Sequence, residues 1–223
     1  MAVTAVILVV SGCGNSQNEK KMGDTSGQGE KTEEHSSVAK LAGTRIDLQN
    51  ANSLKPGDVT LAFNLYGLDT YELVPDNLKI NYEKPLHLLL VRDDLTEYQH
   101  LHPDYVNEQW TIATQIPQSG NYYAYVDIEP IKEKATVLKL PIVIGEATQK
   151  KEFPAVSQNF SETLGNVTIE LDPSTPIKAK ETAKLKFKIT QNNKPATGID
   201  AYLGAFGHVV VLSHTDSDHF EHA

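Results

Sequence analysis

Short runs of alternating or apolar residues, separated by turn-forming residues, dominate the sequence from Leu41 onward. Residues 59–65 and 110–116 alternate, residues 122–128 form another predicted strand, and residues 86–91 are almost continuously apolar. A period of two is typical of half-buried strands, and a short continuous apolar run is typical of a strand buried on both faces. No stretch has a convincing helical period. The pattern therefore predicts an all-β protein.

The spacing of these strands predicts two tandem immunoglobulin-like β-sandwich units. Many short strands within about 100 residues are typical of such a sandwich, and two packed sheets avoid exposing long edges. We assign residues 41–147 to the first unit, 148–160 to a proline-containing linker and 161–223 to the second unit. The second unit is expected to have strands at 167–171, 183–189 and 201–203, and a loop at 191–195.

The same order of residues occurs once in each unit. In the first unit His87 lies in the apolar run, an acidic turn follows, and then come an aromatic residue, His100 and His102. In the second unit His208 lies in an apolar run, and a polar turn, an aromatic residue and His222 follow. The histidine spacing differs by one residue, which an insertion in the turn explains. We interpret the two segments as copies of one histidine hairpin.

The second copy stops early by comparison with the first. The first unit supplies three further strands after His100, whereas the sequence ends at Ala223. A sandwich without those strands would leave its core open. We therefore expect the second unit to be incomplete and the natural chain to run past Ala223, where the counterpart of His102 would stand.

The N-terminal residues have the features of an export signal. Residues 2–10 are apolar but too few to span a bilayer, which takes about 20 residues, and they match the apolar region of a signal peptide. Small residues then lead into Cys13, and this arrangement resembles a bacterial lipobox. The resemblance implies a signal peptide at 1–12, a lipid on Cys13 and a flexible tether at 13–40. The alternative is an ordinary signal peptide with an incidental cysteine.

The composition argues against nucleic acid as a partner and against copper sites with sulfur ligands. The formal net charge of −9 argues against nucleic acid as a partner. Cys13 is the one cysteine, so the folded units have no disulfide and no thiolate for a blue-copper centre. The two methionines, Met1 and Met22, precede the predicted units, which makes a thioether copper site unfavourable. Binding is therefore favoured over electron transfer.

The histidine hairpin is the candidate metal site. Residues two apart in a strand point to the same side, so His100 and His102 share a face and can both reach one ion. His87 on the preceding strand is expected to add a third nitrogen, and His208 and His222 are the candidates in the second copy. Nearby carboxylates are at positions 93, 94, 97 and 104. Nitrogen and oxygen ligands suit Cu(II) or Zn(II).

A structural reading of the same residues stays open. A histidine inside an apolar strand is often a core residue hydrogen-bonded to a neighbouring backbone, and this reading is favoured for His87 and His208 taken singly. His100 and His102 would then cap carbonyls at a strand end. None of the common catalytic motifs of hydrolases, zinc proteases or nucleotide-binding enzymes occurs, so we do not expect an enzyme.

The paired motifs behind a lipobox resemble those of a group of bacterial secreted proteins and lipoproteins. Domains of that group carry a histidine on an apolar run, an aspartate, and an aromatic residue before His-x-His-Pro, and they often accompany copper-handling genes. The resemblance covers roughly residues 45–223. It implies His100 and His102 as ligands, with His87 in support, and His208 and His222 in the second copy.

Two hypotheses follow from the sequence. The first is an extracytoplasmic lipoprotein, held to the bacterial membrane by the lipid on Cys13, that binds copper or zinc. The second is a structural or interaction module without metal, whose sandwich loops or edges bind another envelope protein.

Overall fold

The computed structural model describes residues 6–9, 38–41, 43–147, 153, 160–172, 184–197, 207, 209–212 and 220–222 of the chain. The strands in these ranges are, in chain order, β1 (Val6–Val9), β2 (Val38–Leu41), β3 (Thr44–Leu48), β4 (Gly57–Tyr66), β5 (Leu86–Arg92), β6 (Tyr98–Leu101), β7 (Asp104–Val106), β8 (Gln109–Ile116), β9 (Gly120–Ile128), β10 (Thr136–Ile144), β11 (Ser161–Leu164), β12 (Val167–Leu171), β13 (Phe187–Gln191), β14 (Lys194–Pro195), β15 (Val209–Leu212) and β16 (Phe220–His222).

The prediction of an all-β protein is confirmed. The described residues contain no α-helix, and their helical elements are two single 3-10 turns, Ala51–Ser53 and Pro75–Asn77. Across the same ranges, none of the helices has the length and apolar character that a membrane crossing needs. The alternating residue pattern therefore forms strands wherever the fold is described.

The chain divides into two compact units. The first unit is Cys13–Phe153, and the second consists of Met1–Gly12 with Pro154–Ala223. The division after Phe153 falls inside the range 148–160 that the sequence analysis assigns to a linker. Each unit is described separately below.

Two antiparallel sheets form the first unit. One sheet has the order β2-β3-β4-β8-β7 and the other has the order β10-β9-β5-β6. Two antiparallel sheets of this kind are the architecture of a β-sandwich. The candidate histidines lie in the second of these sheets, on β5 and at the end of β6.

A single hydrophobic cluster joins the two sheets of the first unit. It takes alternate residues from β4 of one sheet and from β5, β9 and β10 of the other, including Leu61, Leu65, Leu88, Val126 and Leu140. Alternation puts one side of each strand into this core. β5 is buried over six consecutive residues, as expected for its apolar run. The two sheets therefore pack face to face as a sandwich.

Some strand boundaries differ from the predicted ones. β2 begins at Val38, inside the predicted tether, and β7 is a strand that the sequence analysis did not predict. Residues 191–195, predicted as a loop, end β13 and form β14. Only Asn192 and Asn193 make the turn, because both adopt a left-handed conformation, with φ of 52° and 59°. A predicted strand at 201–203 lies outside the described residues.

The second unit contributes two smaller sheets. One has the order β11-β12-β13-β14, and the other has β15 between β1 and β16. β15 pairs in parallel with β1 and antiparallel with β16. The pair β15–β16 is the hairpin that the sequence analysis identifies as the second copy.

Candidate metal centre

His87 projects from the face of its sheet that points away from the core. Its neighbours Leu86 and Leu88 belong to the core cluster, and side chains alternate along a strand. His87 is nevertheless only 2% exposed. The predicted burial of this histidine is confirmed, and its ring lies on the face where β6 delivers the other two.

The register of the β5–β6 hairpin brings the three histidines together. Leu88 pairs with Leu101 in antiparallel register, and the next position along each strand is His87 on β5 and His102 just beyond β6. Leu101 packs against the core cluster, so the residues on either side of it, His100 and His102, project from the opposite face. The sequence analysis predicted this shared face, and the pairing supplies His87.

The three imidazoles form a compact triad. Ring centroids are 5.3 Å apart for His87 and His100, 5.0 Å for His87 and His102, and 4.8 Å for His100 and His102. One nitrogen from each ring lies within 4.8 Å of the nitrogens from the other two. These rings converge on one point, as the metal hypothesis requires.

The spacing is close to what a shared ion needs. Two nitrogens bound to one tetrahedral Zn(II) at about 2.0–2.1 Å lie about 3.3 Å apart. Nδ1 of His87 and Nε2 of His100 are 3.1 Å apart. The nitrogen of the third imidazole, that of His102, lies within 4.8 Å of these two atoms.

The second nitrogen of His87 is held by the backbone. Nε2 of His87 lies 3.0 Å from the carbonyl oxygen of Asn81. A carbonyl only accepts hydrogen bonds, so Nε2 carries the proton and donates it. In the neutral ring, Nδ1 then has its lone pair directed at the triad, and Nε2 of His100 donates to it. Histidine ligands of metals commonly have this second hydrogen bond.

The carboxylates that the sequence analysis named serve other purposes. Asp93 accepts from the side-chain amide of Asn121 at 3.2 Å, and Asp94 forms an ion pair with Arg92 and accepts from the amide of Thr96 at 3.1 Å. Burial would raise the pKa of Asp94, but hydrogen bonds from Thr96 and the charge of Arg92 lower it overall. Both carboxylates therefore stabilise the turn of the hairpin.

Among the described residues, the candidate ligand group consists of histidines alone. Glu97 accepts from Gln118 at 3.0 Å, and Asp104 begins the exposed strand β7. Tyr98 shares the face of His100, but burial raises the pKa of its hydroxyl, so it stays protonated at neutral pH. Of the residues that the sequence analysis named, the structure therefore groups the histidines, and the carboxylates stay a prediction as ligands.

Sequence reasoning missed two residues beside the triad. Asp127 on β9 pairs directly with His87, and Asn81 belongs to the loop before β5. Both line a cavity of about 330 Å³ that adjoins His87 and is also bordered by Ile80, Tyr82, Pro85 and Ile128. The cavity gives solvent access to this side of the buried ring. No local sequence signal links these positions, because they come from separate loops and strands.

The hairpin of the second unit pairs in the register that the predicted repeat requires. Val210 pairs with His222 on β15 and β16, just as Leu89 pairs with His100 on β5 and β6. Val210 and Leu89 each stand two residues after the first histidine of their copy. The extra residue of the second copy falls between the paired strands, where the sequence analysis places it.

Two other sequence-predicted sites fall outside what the structure describes. His208 and Cys13 are not among the described residues, and His222 is described only as part of a strand. The ligand role of the two histidines and the lipid on the cysteine stay predictions.

Comparison with known proteins gives one informative match. Residues 39–144 and 162–223 match a family model described as a domain of unknown function (DUF8832). Neither the curated proteins nor the solved structures contain a significant match. The two matched segments begin and end close to the two predicted sandwich units.

Proposed function

The chain belongs to the family described as a domain of unknown function (DUF8832), and we propose that it binds a transition-metal ion, Cu(II) or Zn(II), outside the cytoplasm. The observation that carries the proposal is the convergence of nitrogens from His87, His100 and His102 within 4.8 Å. Imidazole is a preferred ligand of both ions.

The surroundings of the triad favour a metal ligand set over a chance cluster. The Nε2–H group of His87 donates to a backbone carbonyl, which fixes the ring and directs Nδ1 toward His100. The antiparallel pairing of β5 with β6 and β9 holds the backbone of His87 in place. The side chains therefore need little ordering when an ion binds.

We place the protein on the outer side of a bacterial membrane. The apolar residues 2–10 followed by Cys13 support export and lipid attachment, and cleavage before Cys13 would remove β1 from its pairing with β15. The negative net charge offers no attraction to nucleic acid. Mass spectrometry of the N-terminal peptide from bacterial membranes should find Cys13 lipidated. Release of a mature chain cleaved elsewhere, with an unmodified cysteine, would contradict this placement.

We also propose a second ion site in the C-terminal copy, formed by His208 and His222. The shared strand register of the two hairpins supports it. The paired variant His208→Ala/His222→Ala should reduce the number of bound ions without changing the affinity of the first site. An unchanged stoichiometry would remove the second site from the proposal.

A metal titration tests the first site. The full chain carrying Cys13→Ser, which removes the one thiol, is titrated with Cu(II) and Zn(II) against a competing chelator. We expect a dissociation constant below micromolar. The His100→Ala/His102→Ala variant should bind more than about 100-fold more weakly, because it loses direct ligands rather than outer hydrogen bonds.

The matched control is His35→Ala, which removes a histidine from the predicted tether and should leave the affinity unchanged. Micromolar or weaker binding by the starting protein, or equal binding by the double variant, would contradict the proposal.

The second candidate is a metal-free structural or interaction module of the cell envelope. The hydrogen bonds of His87 to Asn81 and His100 favour it, because they satisfy the buried ring with protein groups alone. In that case the His100→Ala/His102→Ala variant would be less stable than the starting protein, and neither of the two would bind metal.

A further inference from the structure

A tight turn precedes the strand that carries His87. Asn81 and Lys84 exchange two backbone hydrogen bonds, each of 3.0 Å. The two residues between them, Tyr82 and Glu83, have φ of 47° and 64°. A two-residue turn of this kind favours asparagine and glycine, and other residues adopt the left-handed conformation at a cost of about 1–2 kcal/mol each.

Side chains from a neighbouring segment hold this turn in place. The side-chain amide of Asn81 donates to Glu129 at 3.1 Å, and Lys79 donates to the same carboxylate at 2.5 Å. The amide of Lys79 also donates to the carbonyl of Glu129 at 2.8 Å. The hydrogen bonds from Lys79 and Asn81 lower the pKa of Glu129, so it is ionised at neutral pH.

The turn makes two contacts with the imidazole of His87. The carbonyl of Asn81 accepts from Nε2 of His87 at 3.0 Å. The ring of Tyr82 meets the imidazole edge-on, with centroids 6.1 Å apart. A free histidine offers either nitrogen to a metal, but this carbonyl occupies one of them.

We propose that the turn Asn81–Lys84, anchored by Glu129, selects Nδ1 of His87 as its metal-binding atom and sets the affinity of the triad. The inference rests on the proposed metal function. Glu129 is a positioning residue, since it acts on the ligand only through Asn81. Nδ1 lies 3.1 Å from Nε2 of His100, so the selected nitrogen is the one already beside a second ligand.

The tautomer of His87 can be read without metal. Nitrogen-15 NMR of the imidazoles in the full chain carrying Cys13→Ser should show the proton of His87 on Nε2. After zinc is added, the Nδ1 resonance of His87 should shift while Nε2 keeps its proton. A proton on Nδ1 before zinc, or zinc bound to Nε2, would overturn the inference.

The affinity measurement compares two variants of Glu129 with one control variant at Glu170. Glu129→Ala should weaken zinc binding about ten-fold, the lower end for an outer-shell loss, and should mix the tautomers of His87. Glu129→Gln still accepts from Asn81 and should recover most of the affinity. Glu170→Ala removes the same charge from an exposed ion pair with Lys188 (3.7 Å) and should change neither readout.

The outcomes separate this inference from the function on which it rests. If the starting protein does not bind zinc, the proposed function fails, and the tautomer of the metal-free protein still tests the turn. If zinc binds but the Glu129→Ala and Glu170→Ala variants have the same zinc affinity and the same His87 tautomer, the positioning role of the turn is wrong.

Discussion

At the scale of single residues, His87 has both ring nitrogens engaged within the protein. Its Nε2–H group donates a hydrogen bond to the carbonyl oxygen of Asn81, and its Nδ1 accepts one from Nε2 of His100. Such a ring is stable while buried, since its polar atoms are satisfied. An ion bound as proposed would replace the contact between the two imidazoles and keep the hydrogen bond that orients His87.

At the same scale, the hydrogen-bonded carboxylate of Glu133 stabilises the fold. Its carboxylate accepts from the hydroxyls of Thr44 and Tyr71 and from the amide of Leu68, each at 2.9 Å. Burial would raise the pKa of Glu133, but these hydrogen bonds lower it overall. Burial of the phenol, together with its hydrogen bond to Glu133, raises the pKa of Tyr71 to about 12. One carboxylate therefore ties three segments together.

Replacing this carboxylate tests its contribution. Glu133→Gln should lower the free energy of unfolding at pH 7 by about 2 kcal/mol, since hydrogen bonds to charged groups contribute about 1.5–3 kcal/mol. A lowered pKa stabilises the fold above the unfolded-state pKa and loses that effect as pH falls through the folded-state pKa. Urea unfolding at pH 7 and at pH 3 should therefore show the difference shrinking at pH 3.

Asp69→Asn, at an exposed acid near Tyr71, is the control and should change stability little at either pH. A Glu133→Gln difference that persisted undiminished at pH 3 would argue against the ionised carboxylate as its source.

At the scale of elements, two hairpins among the described residues are closed by two-residue turns that lack glycine. β7 and β8 are linked by Asn107 and Glu108 alone, with φ of 51° and 62°. Asn192 and Asn193 likewise form the whole link between β13 and β14, also with positive φ. Two-residue turns of this kind match the twist of the paired strands, so they fix register without glycine, at a cost in backbone strain.

The β7–β8 turn provides a prediction at this scale. Glu108→Gly creates the favoured Asn-Gly pair and should raise the free energy of unfolding by about 1 kcal/mol, because glycine adopts a positive φ without strain. Urea unfolding at equilibrium measures the change. Thr60→Gly, at an exposed position within β4, is the matched control and should destabilise by about 0.5–1 kcal/mol. A loss of stability in Glu108→Gly would contradict the strain argument.

At the scale of the first unit, the core and the triad occupy opposite faces of the same sheet. Alternate residues of β5 enter the core cluster, and His87 lies on the other side. An ion can therefore bind without disturbing the packed interior. The binding free energy is available to stabilise the folded unit, because the triad forms only when β5 and β6 are paired.

This coupling predicts a metal-dependent stability. Zinc at about 1,000 times its dissociation constant should raise the free energy of unfolding of the first unit by about 4 kcal/mol. Urea unfolding with and without zinc measures it, and His100→Ala/His102→Ala should show no increase. The effect should shrink as the pH falls, because protons compete with the metal for the imidazole nitrogens. Equal stabilisation of the double variant would place the ion elsewhere.

Much of the fold and part of the triad could be predicted from local pattern. The apolar run of β5, the alternation of β4 and β8, and the shared face of His100 and His102 all follow from residues one or two positions apart. The one-residue difference between the two hairpins also followed from spacing, and the register of β15 with β16 agrees with it.

Periodicity in a strand is a local property, so the sequence by itself determined which residues are extended and which side they face. Only the tertiary structure decided what those faces meet. The pairing of β5 with β9 set Asp127 beside His87, and the turn at Asn81 fixed the nitrogen that His87 presents. These contacts join segments far apart in the chain, whose meeting depends on loop closure and shared burial rather than on the neighbours of either residue.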